Sequence, residues 1–378
     1  MKKKDFFEVA NEQLITFLAK DVGDYGRLRN FDFGPTNRQN VSCLSRYISH
    51  RVLSEYQVVS KTLELWPLKT VEKFVQEVFW RVYWKGWLEH RPSVWNDFIN
   101  YDFENERSCT LQKAVSGRTG IDCFDTWVNE LKSKNYLHNH TRMWFASIWV
   151  FTLGLSWQSG AKFFLEHLSD GDAASNTLGW RWVAGVQTKG KNYLARASNI
   201  NKFTGGRYKH IHLNENAEPI YDEKVHEIQS LQFPDSQVKR AGAVLICDSD
   251  LSNFKVYNNY KEVLVLELNN DNRKIKLSQP VLNFKSNILR NFQKRVDGAC
   301  LVDSSDIGSI FSQRDQIDVL YPCIGENYDF LKRSSAHHQC RLHFRLRSED
   351  IYSWQFAKKG FFNFKKSIPD ILRMLSLA

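Results

Sequence analysis

Through the first 230 residues, apolar positions recur three and four apart. Between Val71 and Leu88 the residues Phe74, Val75, Val78, Phe79, Val82 and Tyr83 make the stripe of a buried helix face. Asp122 to Lys134 and His140 to Leu155 repeat that spacing, and Ala161 to Leu168 predicts a shorter helix. Joints such as Gly34-Pro35-Thr36-Asn37 separate them. After Pro234 the period changes. Ala243 to Cys247, Val263 to Glu267, Ala299 to Val302 and Ile317 to Tyr321 are short apolar runs of strand type. Helical stretches at Val281 to Arg295, Ile307 to Phe311 and Asn327 to Lys332 lie between some of them. Strands alternating with helices predict a largely parallel sheet. The expected fold is mainly α: an all-helical domain over 1–232, then a smaller Rossmann-like α/β domain over 233–378.

A chain of 378 residues is long enough to bury two such cores. Aromatic residues make up 14% of it, and all but one of the 12 tryptophans lie between Trp66 and Trp182. That asymmetry argues for two unlike domains rather than a repeat. The net charge of +10, with more of the excess after residue 235 than before it, favours a polyanionic partner. Seven scattered cysteines without a Cys-x-x-Cys pair fit a reducing compartment and no disulfide framework. The basic start Met1-Lys2-Lys3-Lys4 leads into no apolar signal core, and Met143 to Leu155 is too short to span a bilayer. The expectation is a cytoplasmic protein with no membrane partner.

Candidate chemistry is concentrated in the run Asp170 to Trp182, which packs two carboxylates, two alanines, an amide and two tryptophans into one segment. Asp170 and Asp172 read as helix N-terminal residues, with Asn176 four beyond Asp172 on the same face. Upstream, Tyr25-x-x-x-Arg29 and Ser42-Cys43-Leu44-Ser45 offer hydroxyls and N–H groups at a helix entry, suited to a phosphate chain or simply to a cap. Glu77 and Trp80-Arg81 share a helix face, where a tryptophan is ordinarily core. In His138 to Met143, Asn139 and Met143 are four apart; His138 and His140, two apart on a helix, do not converge on a metal. His337-His338-x-Cys340-x-x-His343 reads as structural, since Cys340 and His343 enter a strand. No metal site is expected. Arg196-x-x-Asn199, among Lys189, Lys191, Lys202, Arg207 and Lys209, is either a phosphate contact or a solvated loop.

In their order these segments resemble the flavin domain of the photolyase/cryptochrome family over nearly all of the first 230 residues. The resemblance implies bound FAD. Tyr25, Ser42, Leu44 and Ser45 would serve the diphosphate, and Phe74, Arg81, Asn139, Arg142, Met143, Asp170, Asp172 and Asn176 the rest, with Arg142 paired to Asp170. It implies ultraviolet-damaged DNA as partner, held by Arg29, Glu77, Trp80, Asn139, His140, Met143, Trp182 and Arg196. Trp80 and Trp182 would clamp a flipped lesion between them. The implied activity is photolyase repair: reduced FAD, excited by blue light, gives the electron that splits a cyclobutane pyrimidine dimer. Glu77 would hydrogen-bond the dimer, Asn176 would sit beside the flavin's redox-active nitrogen, and Trp180 and Trp157 would begin an electron-hopping chain. Its third member has no counterpart, Glu104 standing there, with Tyr101, Phe103 or Trp95 as substitutes.

Asn139 and Met143 stand where enzymes repairing the (6-4) photoproduct have histidines. Asn176 occupies a position that tends to be Asn in photolyases, Asp in plant cryptochromes and Cys in animal ones. Three departures matter. Val41 replaces a usual hydroxyl residue, and His140 a usual arginine. The α/β domain follows the helical one, whereas typical members carry an antenna domain in front. The chain therefore resembles a short or rearranged type, a monomer, with single-stranded DNA as the favoured substrate and the second, antenna chromophore unidentified. The basic stretch Lys274 to Arg295 and the pairs Lys358-Lys359 and Lys365-Lys366 suit nucleic-acid contact or scaffolding. The rival readings are a cryptochrome-like blue-light receptor without repair activity, and a nucleic-acid-binding protein that has lost its flavin.

Overall fold

In the computed structural model the described residues are 5–222, 224–231, 242–252, 257 and 259–377. The helices of the first part are α1 (Phe6–Lys20), α2 (Tyr25–Leu28), α3 (Ser45–Ser49), α4 (Glu55–Leu65), α5 (Leu68–Glu89), α6 (Pro92–Ile99), α7 (Cys109–Ser116), α8 (Asp122–Lys134), α9 (Asn139–Ser147), α10 (Trp157–His167), α11 (Ala173–Ala184) and α12 (Ala197–Phe203). The second part holds β1 (Ala243–Ile246), β2 (Glu262–Glu267), α13 (Gln279–Gln293), β3 (Ala299–Asp303), α14 (Ile307–Ser312), β4 (Gln316–Leu320), α15 (Glu326–His338), β5 (Arg341–Arg345), α16 (Ser348–Trp354) and α17 (Phe361–Met374). The expected domain boundary at 232/233 falls outside the described residues.

The sheet is parallel throughout, in the order β3-β2-β1-β4-β5. Side chains alternate across it. Val244, Ile246, Val263 and Val265 face the large core that continues into the helical part, while Leu245, Leu264, Ile317 and Val319 face a second cluster under α14 and α15. Both faces are covered, which is why these strands read as continuous apolar runs.

α5 is the spine. Its buried positions include Val71, Phe74, Val75, Val78, Phe79 and Val82, the stripe read from the sequence. Gly86 lets α16 come close: a Cβ there would lie 2.7 Å from the Trp354 ring and 2.9 Å from Ala357. α17 packs on α5 as well, through Phe361 and Phe364 against Trp80, Tyr83 and Phe79. The last two helices thus follow the α/β part in sequence but pack with the helical part. A cut at 232/233 does not describe that, because local periodicity carries no record of a long-range partner.

A buried ion cluster joins the two parts. Arg51, 2% exposed, donates to Glu55 (2.9 Å), Asp250 (3.2 Å) and both oxygens of Asp350 (2.6 and 2.7 Å). Lys85 meets Glu55 at 2.8 Å, and Arg347 pairs with Asp250. Beside it, Glu89 at the end of α5 accepts from the Tyr321 hydroxyl (2.6 Å) and the Ile324 N–H (2.9 Å), beyond β4. Burial drives the Glu89 carboxyl up to about 7 despite those two donors.

Two local expectations change. The helix predicted from His140 to Leu155 is α9 followed by a wider π turn, Ile148–Thr152, ending at Gly154 in the left-handed region (φ 65°). Only Asp172 caps α11, its carboxylate accepting from the Ser175 N–H at 2.7 Å. Asp170 lies in the preceding turn, occupied by Arg142.

Candidate active site

A cavity of about 660 Å³, within the usual range for cofactor sites, opens among α5, α9, α11 and the start of α17. α5 lines it with Lys73, Glu77, Trp80, Arg81 and Trp84, positions four, seven, eight and eleven beyond the first and therefore on one face. α9 contributes Asn139, His140, Arg142 and Met143, and α11 contributes Asn176, Trp180 and Trp182.

The polar end is organised by buried charge. Asp170, 3% exposed, pairs with Arg142 at 2.8 Å. Burial alone would raise its pKa; Arg142, with Arg81 beyond it, holds the carboxyl below the usual range. Arg81 pairs in turn with Asp172 and reaches the Ser175 hydroxyl at 3.4 Å. One carboxylate therefore caps α11 and fixes a guanidinium at the cavity wall. Asn176 donates from Nδ2 to the Ala161 carbonyl at 2.8 Å, which fixes its amide against α10. Trp180 is held edge-on by Phe164 and Trp149, at 5.0 and 6.1 Å. Gly160 makes room for it, since a Cβ there would lie 2.3 Å from the indole.

At the other end Glu77 pairs with Arg29. Burial raises its pKa and outweighs the lowering by Arg29 and Lys73, so its carboxyl takes up a proton more readily than an exposed glutamate. Trp80 lies flat on Phe361, with centroids 3.6 Å apart and planes 11° apart, and Trp182 stacks on Tyr193 at 5.7 Å. His140 bridges the Asn30 carbonyl (2.9 Å) and the Tyr193 hydroxyl (3.2 Å). Burial lowers its pKa.

Of the site residues expected from the sequence, Arg29, Glu77, Trp80, Arg81, Asn139, His140, Arg142, Met143, Asp170, Asn176, Trp180 and Trp182 line this cavity. Others stand back from it. Tyr25 and Phe74 pack on each other at 5.3 Å, Leu44 is buried ahead of α3, and Ser42 accepts from Gln13 through its carbonyl. Ser45 opens α3, and Arg196 precedes α12. Trp157 stacks on Phe98 at 5.9 Å, under the Arg181 guanidinium. Tyr101 donates to Glu106 at 3.3 Å, and Trp95 to Asp329 at 2.8 Å. His138 caps α9 rather than facing the cavity, and burial lowers its pKa to about 4. Among the described residues no His/Cys/Asp/Glu group is arranged to hold a metal. The sequence reading missed Phe361 and Phe362, which also line the cavity together with Lys365, named there only as one of a basic pair suited to nucleic-acid contact or scaffolding. The apolar spacing Phe361, Phe364, Ile368, Ile371 could have found their helix, though not its place.

A second, smaller crevice of about 100 Å³ lies where the strand order reverses, between the carboxyl ends of β1 and β4 and the start of α11. Its cations are paired, Lys285 with Asp248 at 2.6 Å and Arg273 with Glu326 at 2.9 Å.

Residues 74–243 match the family model described as the FAD binding domain of DNA photolyase. Over these residues the chain is similar to the FAD-binding domain of DNA photolyases. Over 200 residues the chain is 28% identical to a deoxyribodipyrimidine photo-lyase of Vibrio cholerae, a match covering 50% of this chain and 41% of that protein. A deoxyribodipyrimidine photo-lyase of Agrobacterium fabrum is 28% identical over 260 residues, 64% of this chain and 53% of the relative. Among solved structures, a bacterial class III photolyase from Agrobacterium tumefaciens aligns with a TM-score of 0.44 at 26% identity, over 52% of this chain and 42% of that one. The chain spans about half the length of the curated relatives it matches.

The cavity fits FAD by its own chemistry. Asp170 Oδ1 and the Trp180 indole N–H are buried without a hydrogen-bond partner in the structure. Buried polar groups left open are costly. Both residues line the cavity, and a ring system bearing N–H and C=O groups carries the complement of each. No helix among the described residues is long and apolar enough to cross a membrane.

Proposed function

We propose that this protein is a light-driven DNA-repair enzyme, a deoxyribodipyrimidine photo-lyase that holds FAD in the 660 Å³ cavity and splits cyclobutane pyrimidine dimers. The observation that carries the proposal is one cavity with a polar end built on Asp170 and Arg142 and an aromatic, acidic end built on Trp80, Trp182 and Glu77. When FAD is bound there, the chemistry it supplies is light-driven electron donation to the lesion and recovery of that electron. The chain's own residues position and exclude. Asp170, Arg142, Arg81 and Asn176 are the groups that would hold the cofactor, with Asn139 and Met143 beside them. Trp80 and Trp182 would enclose the extruded bases, as base-flipping enzymes do. Glu77, its pKa raised by burial, is suited to donate a proton-bearing hydrogen bond to a pyrimidine carbonyl on which charge develops. Arg29 keeps that carboxyl in place.

The helical unit over 1–232 would carry most of both sites, with α17 from the unit over 233–378 completing the cavity wall. Trp180 and Trp157 would pass electrons inward from the surface. The protein would act in the cytoplasm as a monomer, with single-stranded DNA as the favoured form. The test is Glu77→Ala. Loss of a hydrogen bond to a charged group predicts dimer splitting about 10- to 100-fold slower, with flavin content unchanged. An unchanged rate would remove Glu77 from the mechanism.

A further inference from the structure

We infer that the exposed start of α17, with Phe362 at its tip, is a DNA-contacting element that stacks on a base beside the extruded lesion. The inference rests on the repair function proposed above and adds a binding element to it. Phe362 is 79% exposed, yet it lines the mouth of the cavity together with Phe361 and Lys365. It is held there rigidly. Phe361, Phe364, Ile368 and Ile371 form the buried face of α17, and the stack of Phe361 on Trp80 ties the helix to the pocket wall.

Helix geometry shows which side of Trp80 is taken. On α5, Phe79 and Tyr83 meet α17, whereas Glu77, Arg81 and Trp84 line the cavity, about 150° away round the helix. Trp80 lies between the two faces, so Phe361 backs it and Phe362 projects past it at the rim.

The chemistry around Phe362 selects the occupant. Lys366 follows it by four positions and Lys365 by three, on neighbouring helix positions, and the exposed pair Lys358-Lys359 precedes it. Among the described ring contacts Phe362 has one partner, Phe361, edge-on at 6.4 Å. Lys365 pairs with Glu72 at 3.3 Å, which leaves the exposed Lys366 beside an aromatic ring at the mouth of a cavity suited to an extruded base, the pairing of stacking platform and cation that single-stranded nucleic acid occupies. Extruding a dimer leaves its neighbouring base without a stacking partner, and Phe362 would supply one.

The test compares flavin-loaded wild type, Phe362→Ala and Phe362→Trp, by anisotropy with a labelled oligothymidine carrying one dimer, and by repair at saturating DNA. Phe362 is exposed, so its substitution leaves the packed core intact, and flavin content checks the fold. Phe362→Ala should bind roughly tenfold more weakly, the scale of one base–aromatic stack. Its repair rate at saturating DNA should fall by less than its affinity does, and Phe362→Trp should restore binding. If wild type repairs dimers and Phe362→Ala binds within twofold of it, this inference fails while the repair reading stands. If wild type neither prefers nor repairs the dimer oligonucleotide, both fail.

Discussion

Glu89 offers a prediction whose size can be worked out. Its carboxyl joins the end of α5 to the loop beyond β4 through Tyr321 and Ile324, and burial raises its pKa from about 4.5 to about 7. Below about pH 4.5 the folded and unfolded states are both protonated there, and the stabilisation is fully present. Between about 4.5 and 7 the folded state keeps a proton that the unfolded state has released, so stability falls as pH rises. Each pH unit costs about 1.4 kcal/mol, and the two and a half units give about 3 kcal/mol lost by pH 8. Glu89→Gln keeps one acceptor and one donor in the same shape and does not titrate. Urea unfolding of both proteins at pH 5, 6, 7 and 8 measures the difference. The variant should gain on wild type steadily between pH 5 and 7, by up to about 3 kcal/mol, with no further change above. Histidines buried elsewhere, such as His50 and His138 with pKa values lowered to about 4, are common to both proteins and cancel. Parallel stability curves for the two proteins would refute the assignment of a protonated Glu89 to the folded state.

Two further variants probe the supports of the site. Arg51→Met removes the cation shared by Glu55, Asp250 and Asp350 and strands buried carboxylates, so unfolding should become easier by about 3–5 kcal/mol in urea titrations; a loss below 1 kcal/mol would show that water reaches the cluster. Gly160→Ala drives a methyl group into the Trp180 indole, and should cost about 1–3 kcal/mol and weaken flavin retention, read by absorbance after gel filtration. Flavin retained at the wild-type level would mean that Trp180 does not shape the cofactor's seat.

How much of this was legible in the sequence depended on the range of the interaction. Asp122–Lys134 is the α8 helix residue for residue, and the four strands read from apolar runs agree within about one residue, because a buried face writes its period into the chain. The cavity was legible for a different reason. Spacing put Glu77, Trp80 and Arg81 on one helix face and Asn139 and Met143 on another; that the two faces meet at one cavity came from the family resemblance, since spacing within a helix says nothing of its partner. Asp170 was misplaced at a helix start because Asp170 and Asp172 are equally good capping types and only the backbone decides which one takes the cap; its pairing with Arg142, implied by the resemblance, is present. The π turn at Ile148–Thr152 left no mark, since its residues are apolar in either helix type. α17 was missed as a wall for the same reason as the Arg51 cluster: contacts between residues more than 280 positions apart depend on the assembled fold.

The central claim is tested most directly by light-dependent repair. Ultraviolet-irradiated oligothymidine is mixed without oxygen with the reduced, flavin-loaded protein, and thymine absorbance is followed in the dark and under blue light. Absorbance should recover only in the light and should continue past one dimer per protein. No recovery from protein that demonstrably holds reduced FAD would contradict the repair function and leave the flavin cavity serving a light-sensing role.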